Sequence, residues 1–585
     1  LLPILDWVQV RAQYQAEYGW SAASLNVDSL GNVIQNRQDR QLSGDFNFEG
    51  LYNKWGYLRE ISRGSSAGPG QAPPGRPGAA PRPPQREAEG QRESAGPSTF
   101  ERVLIRPLLM VRRARLNFRE RFATVVPGYM PQSGMLGMTN FNAPGWDFIA
   151  GWQPRIRELR ESEYQTDQDW LFQAARQGWI TSNVLQNREV IQEYTQTWDA
   201  RMTIEPFRDF RIDLDIRRDF TENHTEYFKD TLFNDQPDFA HTVPKNFGSM
   251  TITYSALSTL FQDDRQQIID LFRTFEAHRV VISERLGGEE LHEDPILADQ
   301  GYRKGYGRTQ QDVLIPAFIS AYRGEDPGSV KLNIFDQTPR VNWRLSYNGL
   351  SRIPLFSELF QNFSLTHGYQ STLTVNNFNT GLDWLRTRGS QGGPLNELNG
   401  NFYPRLEVPQ VAITEAFSPL IAIDATLNNG ISLGIDYKKA RTLSMSFVSN
   451  QLSETQTTEF VIAFGWLLRG VNLPFFGGGD SDTGPLNLGQ GNAPAAGRLQ
   501  GRDLDINFNF ALRDDVTFNH LLDQGVIEPT RGNYSLSISP SAEYQISRNL
   551  SLRLFFDYRR NVPKTSAGFP RTDTQGGVIV RFQLN

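Results

Sequence analysis

Residues 8–20 read VQVRAQYQAEYGW. Val8, Val10, Ala12, Tyr14, Ala16, Tyr18 and Trp20 share one face of an extended chain, and Gln9, Arg11, Gln13, Gln15 and Glu17 share the other, because side chains alternate across a strand. The period returns at 190–206, where Tyr194, Trp198, Ala200, Met202 and Ile204 interleave with Glu193, Thr195, Asp199, Arg201 and Glu205. At 210–220, Phe210, Ile212, Leu214 and Ile216 stand against Arg211, Asp213, Asp215 and Arg217. Further runs cover 341–347, 363–375, 421–427, 431–437, 443–447, 460–466, 504–512, 534–546, 550–558 and 578–584. Weaker ones lie near 34–50, 104–124, 146–152, 250–258, 406–413 and 516–522. Together they predict about 18 to 20 strands, mostly antiparallel.

Between these runs, Asn428-Asn429-Gly430, Arg513-Asp514-Asp515, Ser547-Arg548-Asn549 and 205–209 read as tight turns, asparagine and glycine supplying positive φ. The segments 222–247, 259–339, 377–404, 470–502, 522–532 and 560–575 read as long connections. Short links at 416–419, 428–430 and 438–441 break the alternation of short and long links seen nearer the carboxy terminus. Helical spacing places Ile268, Leu271, Phe272, Phe275 and Ile282 on a helix over Asp263–Leu286, with Gly287 and Gly288 as its stop. Shorter helices are expected at 167–177 and 312–323. The chain divides into barrel strands at 1–62, a Pro/Gly-rich insertion at 63–98 and further strands at 99–585, with a glycine-rich loop at 476–502. The insertion has no large apolar side chain with which to offset its ordering entropy, so disorder is expected there.

The 585 residues carry a formal net charge of -6 and no cysteine. The acidic balance argues against a nucleic-acid partner, and the lack of cysteine excludes disulfides, thiolate zinc sites and iron-sulfur clusters. No run approaches the roughly 18 apolar residues of a membrane helix, and residues 1–20 lack the marks of a signal peptide. Alternation fits a soluble sandwich as well as a membrane barrel, but the runs at 8–20, 190–206 and 534–546 far exceed an ordinary strand of about 5 or 6 residues. A tilted membrane strand needs about 9 to 11. Tyr18 with Trp20, Trp466, and Phe556 with Tyr558 look like interfacial aromatics near strand ends. An arginine facing lipid at mid-membrane costs roughly 2 to 4 kcal/mol, so Arg11, Arg201, Arg211, Arg217 and Arg553 must border water, with the apolar face turned to acyl chains. The expected fold is all-β, a very large antiparallel transmembrane β-barrel with a few short helices in long loops.

Chemistry-bearing motifs are missing: no HExxH, nucleophile elbow, phosphate loop or EF-hand occurs. His224, His241, His278, His292, His367 and His520 are scattered without ligand spacing, and His367 is in phase with the apolar set of its strand. Gly301, Gly305 and Gly307 imitate a phosphate loop without the strand-turn-helix that would make it one, and read as a flexible loop. Asp480 and Asp482 read as a solvated loop rather than a calcium site. The helix at 263–286 is expected to bury its stripe against the barrel rather than against another protein. No catalytic, cofactor-binding or metal residue is expected, no cofactor is implied, and substrate-binding residues stay unassigned; the chain does not read as an enzyme.

Several stretches resemble one family. LNFRERFATVVPGYMPQSGMLGM (116–138), NAPGWDFIAGWQP (142–154), MTIEPFRDFRIDLDIRRDFTENHTEYF (202–228), VLIPAFISAYRG (313–324) and NWRLSYNGLSR (342–352) are similar to the carboxy-terminal part of the SprA/Sov proteins. FSLTHGYQSTLTVNNF (363–378) and the succession over 400–447 are similar too. These are outer-membrane translocons of the type nine secretion system, linked to gliding motility. The resemblance implies a very large single-chain barrel whose lumen passes folded cargo proteins to the cell surface. It also implies a lateral opening and partners that include a PorV-like barrel and a periplasmic plug protein. Family members are several times longer, so the chain is expected to be a carboxy-terminal arc of the wall, with its closure open. The competing functions are an outer-membrane uptake channel or receptor and a soluble β-sandwich adhesin. The adhesin would show self-similar repeats, and none is found.

Overall fold

The computed structural model describes residues 5–26, 28–63, 105, 109–154, 156, 169–232, 238–262, 265–387, 395–471, 502–547, 549–566 and 568–583. The insertion expected at 63–98 lies outside the described residues except for Arg63, which ends a helix. The loop expected at 476–502, with Asp480 and Asp482, lies outside them except for Arg502, which opens a strand.

Alternation becomes one 16-stranded antiparallel sheet. Its strands are β1 (Val8–Ser21), β2 (Asn32–Asn47), β3 (Val111–Tyr129), β4 (Val190–Phe207), β5 (Phe210–Asp230), β6 (Phe239–Thr253), β7 (Asn342–Tyr347) and β8 (Phe360–Thr380). They continue as β9 (Leu406–Glu407), β10 (Gln410–Leu427), β11 (Ile431–Ser446), β12 (Gln451–Val471), β13 (Arg502–Leu521), β14 (Val526–Ser547), β15 (Leu550–Pro563) and β16 (Arg571–Phe582). Neighbours in sequence are neighbours in the wall, and among the described residues β1 pairs only with β2 and β16 only with β15. The all-β expectation holds; the wall is an open arc.

The strand count falls below the expected 18 to 20 because several expected boundaries are interior to strands. Arg513-Asp514-Asp515 is no turn: it lies mid-β13, pairing in unbroken register with Thr457–Glu459 and Asn533–Ser535. Likewise 438–441 runs through the middle of β11, and 416–419 is a bulge in β10 between Phe417 and Ile421. At 438–441 and 513–515, charge on both faces mimics a turn, yet the ladder continues because the charged side chains find partners, Lys438 with Asp436, Arg441 with Glu415 and Arg513 with Asp515. Residues 222–230, expected to be loop, extend β5, and the expected long connection at 522–532 shrinks to 522–525. The run at 146–152 is a helical turn, not a strand.

With those links gone, both rims still mix short and long connections, 447–450 and 522–525 being short links on the edge opposite to the tightest turns. The connections Arg208–Asp209, Asn428–Gly430 and 548–549 all fall on one edge, here the turn rim, with Asp209 at φ 66 and Gly430 at φ 85. That rim also receives the long segments after β2 and β12, and helices α1 (Phe48–Lys54) and α2 (Gly56–Arg63) follow β2 there. The opposite edge, the loop rim, carries 130–189, 231–238 and 381–409, with α3 (Trp146–Ile149) and α4 (Trp170–Arg176) in the first of these.

One lane of the wall is shared. β6 pairs with the loop-rim half of β5 and β8, and β7 pairs with the turn-rim half of both. Between them the chain leaves the sheet at Thr253 and returns at Arg340, whose amide donates to the Thr253 carbonyl at 2.8 Å. The excursion holds α5 (Arg265–Gly287), α6 (Pro295–Asp299) and α7 (Gln311–Arg323). The expected start of α5 at 263 lies outside the described residues, α7 begins one residue earlier than expected, and Gly324 caps α7 in the left-handed conformation at φ 66. Leu271, Phe272, Phe275 and Ile282 of α5 and the apolar residues from Val313 to Tyr322 of α7 are buried in one cluster with Met250, Ile252, Leu373, Val411, Leu443 and Leu452 of the wall, and Ile268 is buried too. The helix stripe therefore packs on the sheet, as its spacing predicts.

Candidate functional site

The candidate site is the wall, whose two faces follow from register, since residues paired across strands project to the same side. One row runs Phe210 (β5), Tyr347 (β7), Leu365 (β8), Ile423 (β10), Ile435 (β11), Ile462 (β12), Phe510 (β13), Ile538 (β14) and Tyr558 (β15). The same face continues toward β1 through Val10, Gly44, Leu116, Ala200 and Ile216. These side chains do not meet in a dry centre: apart from Gly44 none of them is buried, Val10 is 60% exposed, and on the same face Val578 is 60% and Ile421 48% exposed. On β13 the apolar set spans Leu504 to Leu512; at about 3.4 Å per residue and a tilt near 40° this gives roughly 21 Å, close to the ~25 Å lipid-facing band of outer-membrane barrels.

At the turn-rim edge of the band, aromatic rings gather. Phe207 stacks on Phe210 at 4.8 Å, Phe210 meets Tyr347 edge-on at 6.0 Å, and Phe360 meets Phe363 at 5.3 Å. Trp466 lies there too. The other expected interfacial aromatics fall elsewhere: Tyr18 packs on Phe148 at the loop rim, and Phe556 and Tyr558 sit inside β15.

The opposite face is charged, and its charges are laddered. Arg115 pairs with Asp45 at 2.8 Å, Arg211 with Asp213 at 2.8 Å, Arg217 with Asp219 at 2.6 Å and Lys438 with Asp436 at 2.8 Å. One row runs Lys438, Glu459, Arg513, Ser535, Asn561 and Arg571 across β11 to β16. The expected separation of Arg11, Arg201, Arg211, Arg217 and Arg553 from the apolar stripe is what register delivers.

Toward the loop rim the apolar face changes character and is covered by the helices. Glu415 and Arg441 are directly opposed on β10 and β11, both buried, 2.6 Å apart. Arg441 also donates to the Thr259 carbonyl at 2.8 Å and the Ala256 carbonyl at 3.2 Å, while Glu415 accepts from the Ala256 amide at 2.7 Å and the Tyr369 hydroxyl at 2.5 Å. The excursion is thus tied to the wall at its root.

A second buried cluster, also beyond the apolar band, joins α4 to the wall. His241 lies 2.6 Å from Asp169, the cap of α4, and 2.9 Å from Glu226, with His224 3.5 Å from Glu226. Burial disfavours the His241 charge, but hydrogen bonds and attraction from Asp169 and Glu226 outweigh it and push its pKa up to about 9. Burial likewise opposes the Glu226 charge, and the two histidines overcome it to hold the carboxyl below its ordinary value. No sequence signal marked this cluster, because its members come from separate elements.

The remaining histidines take separate places. His278 bonds Ser320 at 2.8 Å, His292 accepts from the Asp294 amide at 3.0 Å, His367 contacts the Leu420 carbonyl at 2.6 Å beside the β10 bulge, and His520 lies under the Phe272 ring. Among the described residues no group of three such side chains is arranged to hold a metal ion. Gly301, Gly305 and Gly307 serve packing: a Cβ on Gly305 would lie 2.1 Å from the Phe402 ring, and the Gly307 amide donates to Asn401 at 2.7 Å.

Compared with known proteins, the chain matches no family model and no curated sequence. Among solved structures it overlaps the closed form of the ferric-catecholate import receptor Fiu from E. coli K12, at 9% identity and a TM-score of 0.23. The overlap covers 96% of this chain and 62% of that one, and the likeness is too distant to bear on function.

Proposed function

We propose that the chain is part of an outer-membrane β-barrel wall, and that the barrel is the protein-conducting translocon of type nine secretion, of SprA/Sov type. The observation that carries the membrane assignment is the partly exposed apolar face that runs from Phe210 to Tyr558, backed by the charged ladder of the other face. In water an exposed band of this extent is unfavourable. In lipid it is satisfied, while the charged face demands an aqueous interior. The turn rim, with Arg208–Asp209, Asn428–Gly430 and 548–549, is then periplasmic, and the helix-bearing loop rim lies on the cell surface. The translocon assignment rests on the resemblance of 116–138, 142–154, 202–228 and 342–352. In this role the wall carries out no chemistry; it lines the path of folded cargo, working with a PorV-like barrel and a periplasmic plug protein.

Deletion of the gene tests it. The translocon predicts that proteins bearing the type nine signal accumulate in the periplasm and that gliding stops. Intact secretion with loss of a nutrient's uptake would replace it with an uptake receptor. A monodisperse protein obtained without detergent would remove the membrane assignment.

A further inference from the structure

We infer that the charged face carries a built anion-binding station between β3, β4, β5, β7 and β8, which takes the carboxylates of acidic polypeptide segments. The station rests on the proposed conduit for its occupant, though not for its chemistry.

A depression of about 570 Å³ opens there, lined by five arginines, Arg113, Arg115, Arg201, Arg211 and Arg344, against two carboxylates, Asp213 and Asp215. It exists because Gly368 leaves its floor bare, and because the β10 bulge places Ser418 behind it: a Cβ on Gly368 would sit 3.4 Å from the Ser418 carbonyl. Register forces the charges together. Arg115 and Arg201 are directly opposed, an arrangement that disfavours a sheet and is offset here by Asp199 at 3.3 Å from Arg201 and by Asp215 opposite it on β5. Arg113 and Arg115 share the single carboxylate of Asp45, at 3.4 and 2.8 Å. Arg344 has no carboxylate within ion-pair reach among the described residues, since its cross-strand partner Asp213 is taken by Arg211 at 2.8 Å and by Thr203 at 2.7 Å.

The existing ion pairs are exchangeable. The side chains of Arg113, Arg115, Arg201 and Arg211 are each more than half exposed, and pairs of that kind add little stability. A guanidinium fork binds a carboxylate or a phosphate with two parallel hydrogen bonds; Arg211 already uses its fork on Asp213, whereas Arg344, without a carboxylate partner among the described residues, offers its own to an incoming anion. On a wall facing a water-filled path, the anions within reach are acidic side chains of the passing chain.

The test uses the full chain in detergent micelles and a fluorescein-labelled ten-residue polyglutamate peptide, read by anisotropy. Arg201→Gln with Arg344→Gln should weaken binding at least tenfold. Arg553→Gln, elsewhere on the same face, should change it less than twofold, and millimolar inorganic phosphate should compete. Equal binding by wild type and the double variant overturns the station. So does an equal loss in Arg553→Gln, which would mean a diffuse field, or binding of phosphate or lipid-phosphate vesicles without the peptide. Labelling of Arg344→Cys by a membrane-impermeant thiol reagent separates this from the conduit. A labelled cysteine with no peptide binding overturns the station alone; an unlabelled cysteine in membranes, with peptide bound in detergent, overturns the conduit alone.

Discussion

Replacing Arg441 by methionine should release the root of the helical excursion. The guanidinium is 1% exposed and Glu415 0% exposed, so the substitution strands a carboxylate away from water and removes one of the donors to the Ala256 and Thr259 carbonyls, which keep the Thr259 and Gln262 amides. Removing one partner of such a pair costs about 3 to 5 kcal/mol. Replacing both, Arg441→Met with Glu415→Met, removes the stranded charge; the main remaining loss is the partner of the Ala256 amide, about 1 to 3 kcal/mol, since the Tyr369 hydroxyl keeps Ser255 and the two carbonyls keep backbone donors. The double variant should therefore be no worse than the single one, a coupling of several kcal/mol. Hydrogen exchange of residues 254–262 reads it directly, since 3 kcal/mol is on the order of 100-fold in protection. Protection within threefold of wild type in Arg441→Met, or a double variant whose cost equals the sum of both singles, would refute the latch.

Ile462→Arg, in the middle of the exposed apolar row, should reduce folding into lipid vesicles by roughly 2 to 4 kcal/mol, whereas Ala463→Arg, one residue along on the other face, should be tolerated; denaturant titration of the folded fraction compares them. The His241 cluster predicts a sign in pH. Its folded pKa of about 9 exceeds its ordinary 6.5, so the stabilisation, roughly 3 kcal/mol, is complete below 6.5 and fades as pH rises through 9. Protease cutting near Asp169 should accelerate above that pH in wild type and lose this dependence in His241→Gln. Gly305→Ala should lower thermal stability, because φ +76 costs about 1 to 2 kcal/mol for a residue with a side chain and Phe402 must move; a melting curve equal to wild type would contradict the packing role.

Legibility in the sequence followed burial. β1, β4 and the 534–546 part of β14 are plain in the alternation because apolar and polar side chains take turns there, whereas 526–533, with its proline and glycine, reads as a connection. β5 fades after Phe220, where Glu222, His224 and Glu226 occupy the face that a neighbouring element covers; polar residues buried in a network look like loop. The α5 stripe was legible since period 3.6 survives contact with any apolar partner. That β6 and β7 complete one lane could not be read, because the pairing joins segments separated by the whole excursion 254–341. The two-faced wall was foreseeable; the Glu415–Arg441 latch and the arginine depression depend on register and on a bulge, neither of which alternation encodes.

The most direct measurement uses single cysteines at each position from Glu459 to Trp466, labelled with bimane and reconstituted in brominated lipid; the chain has no native cysteine to confuse the signal. Phe460, Ile462, Phe464 and Trp466 positions should be strongly quenched by lipid, and Glu459, Val461, Ala463 and Gly465 positions should instead be quenched by aqueous iodide. Equal quenching of both sets, or the inverse pattern, would contradict a wall with acyl chains on one side and water on the other.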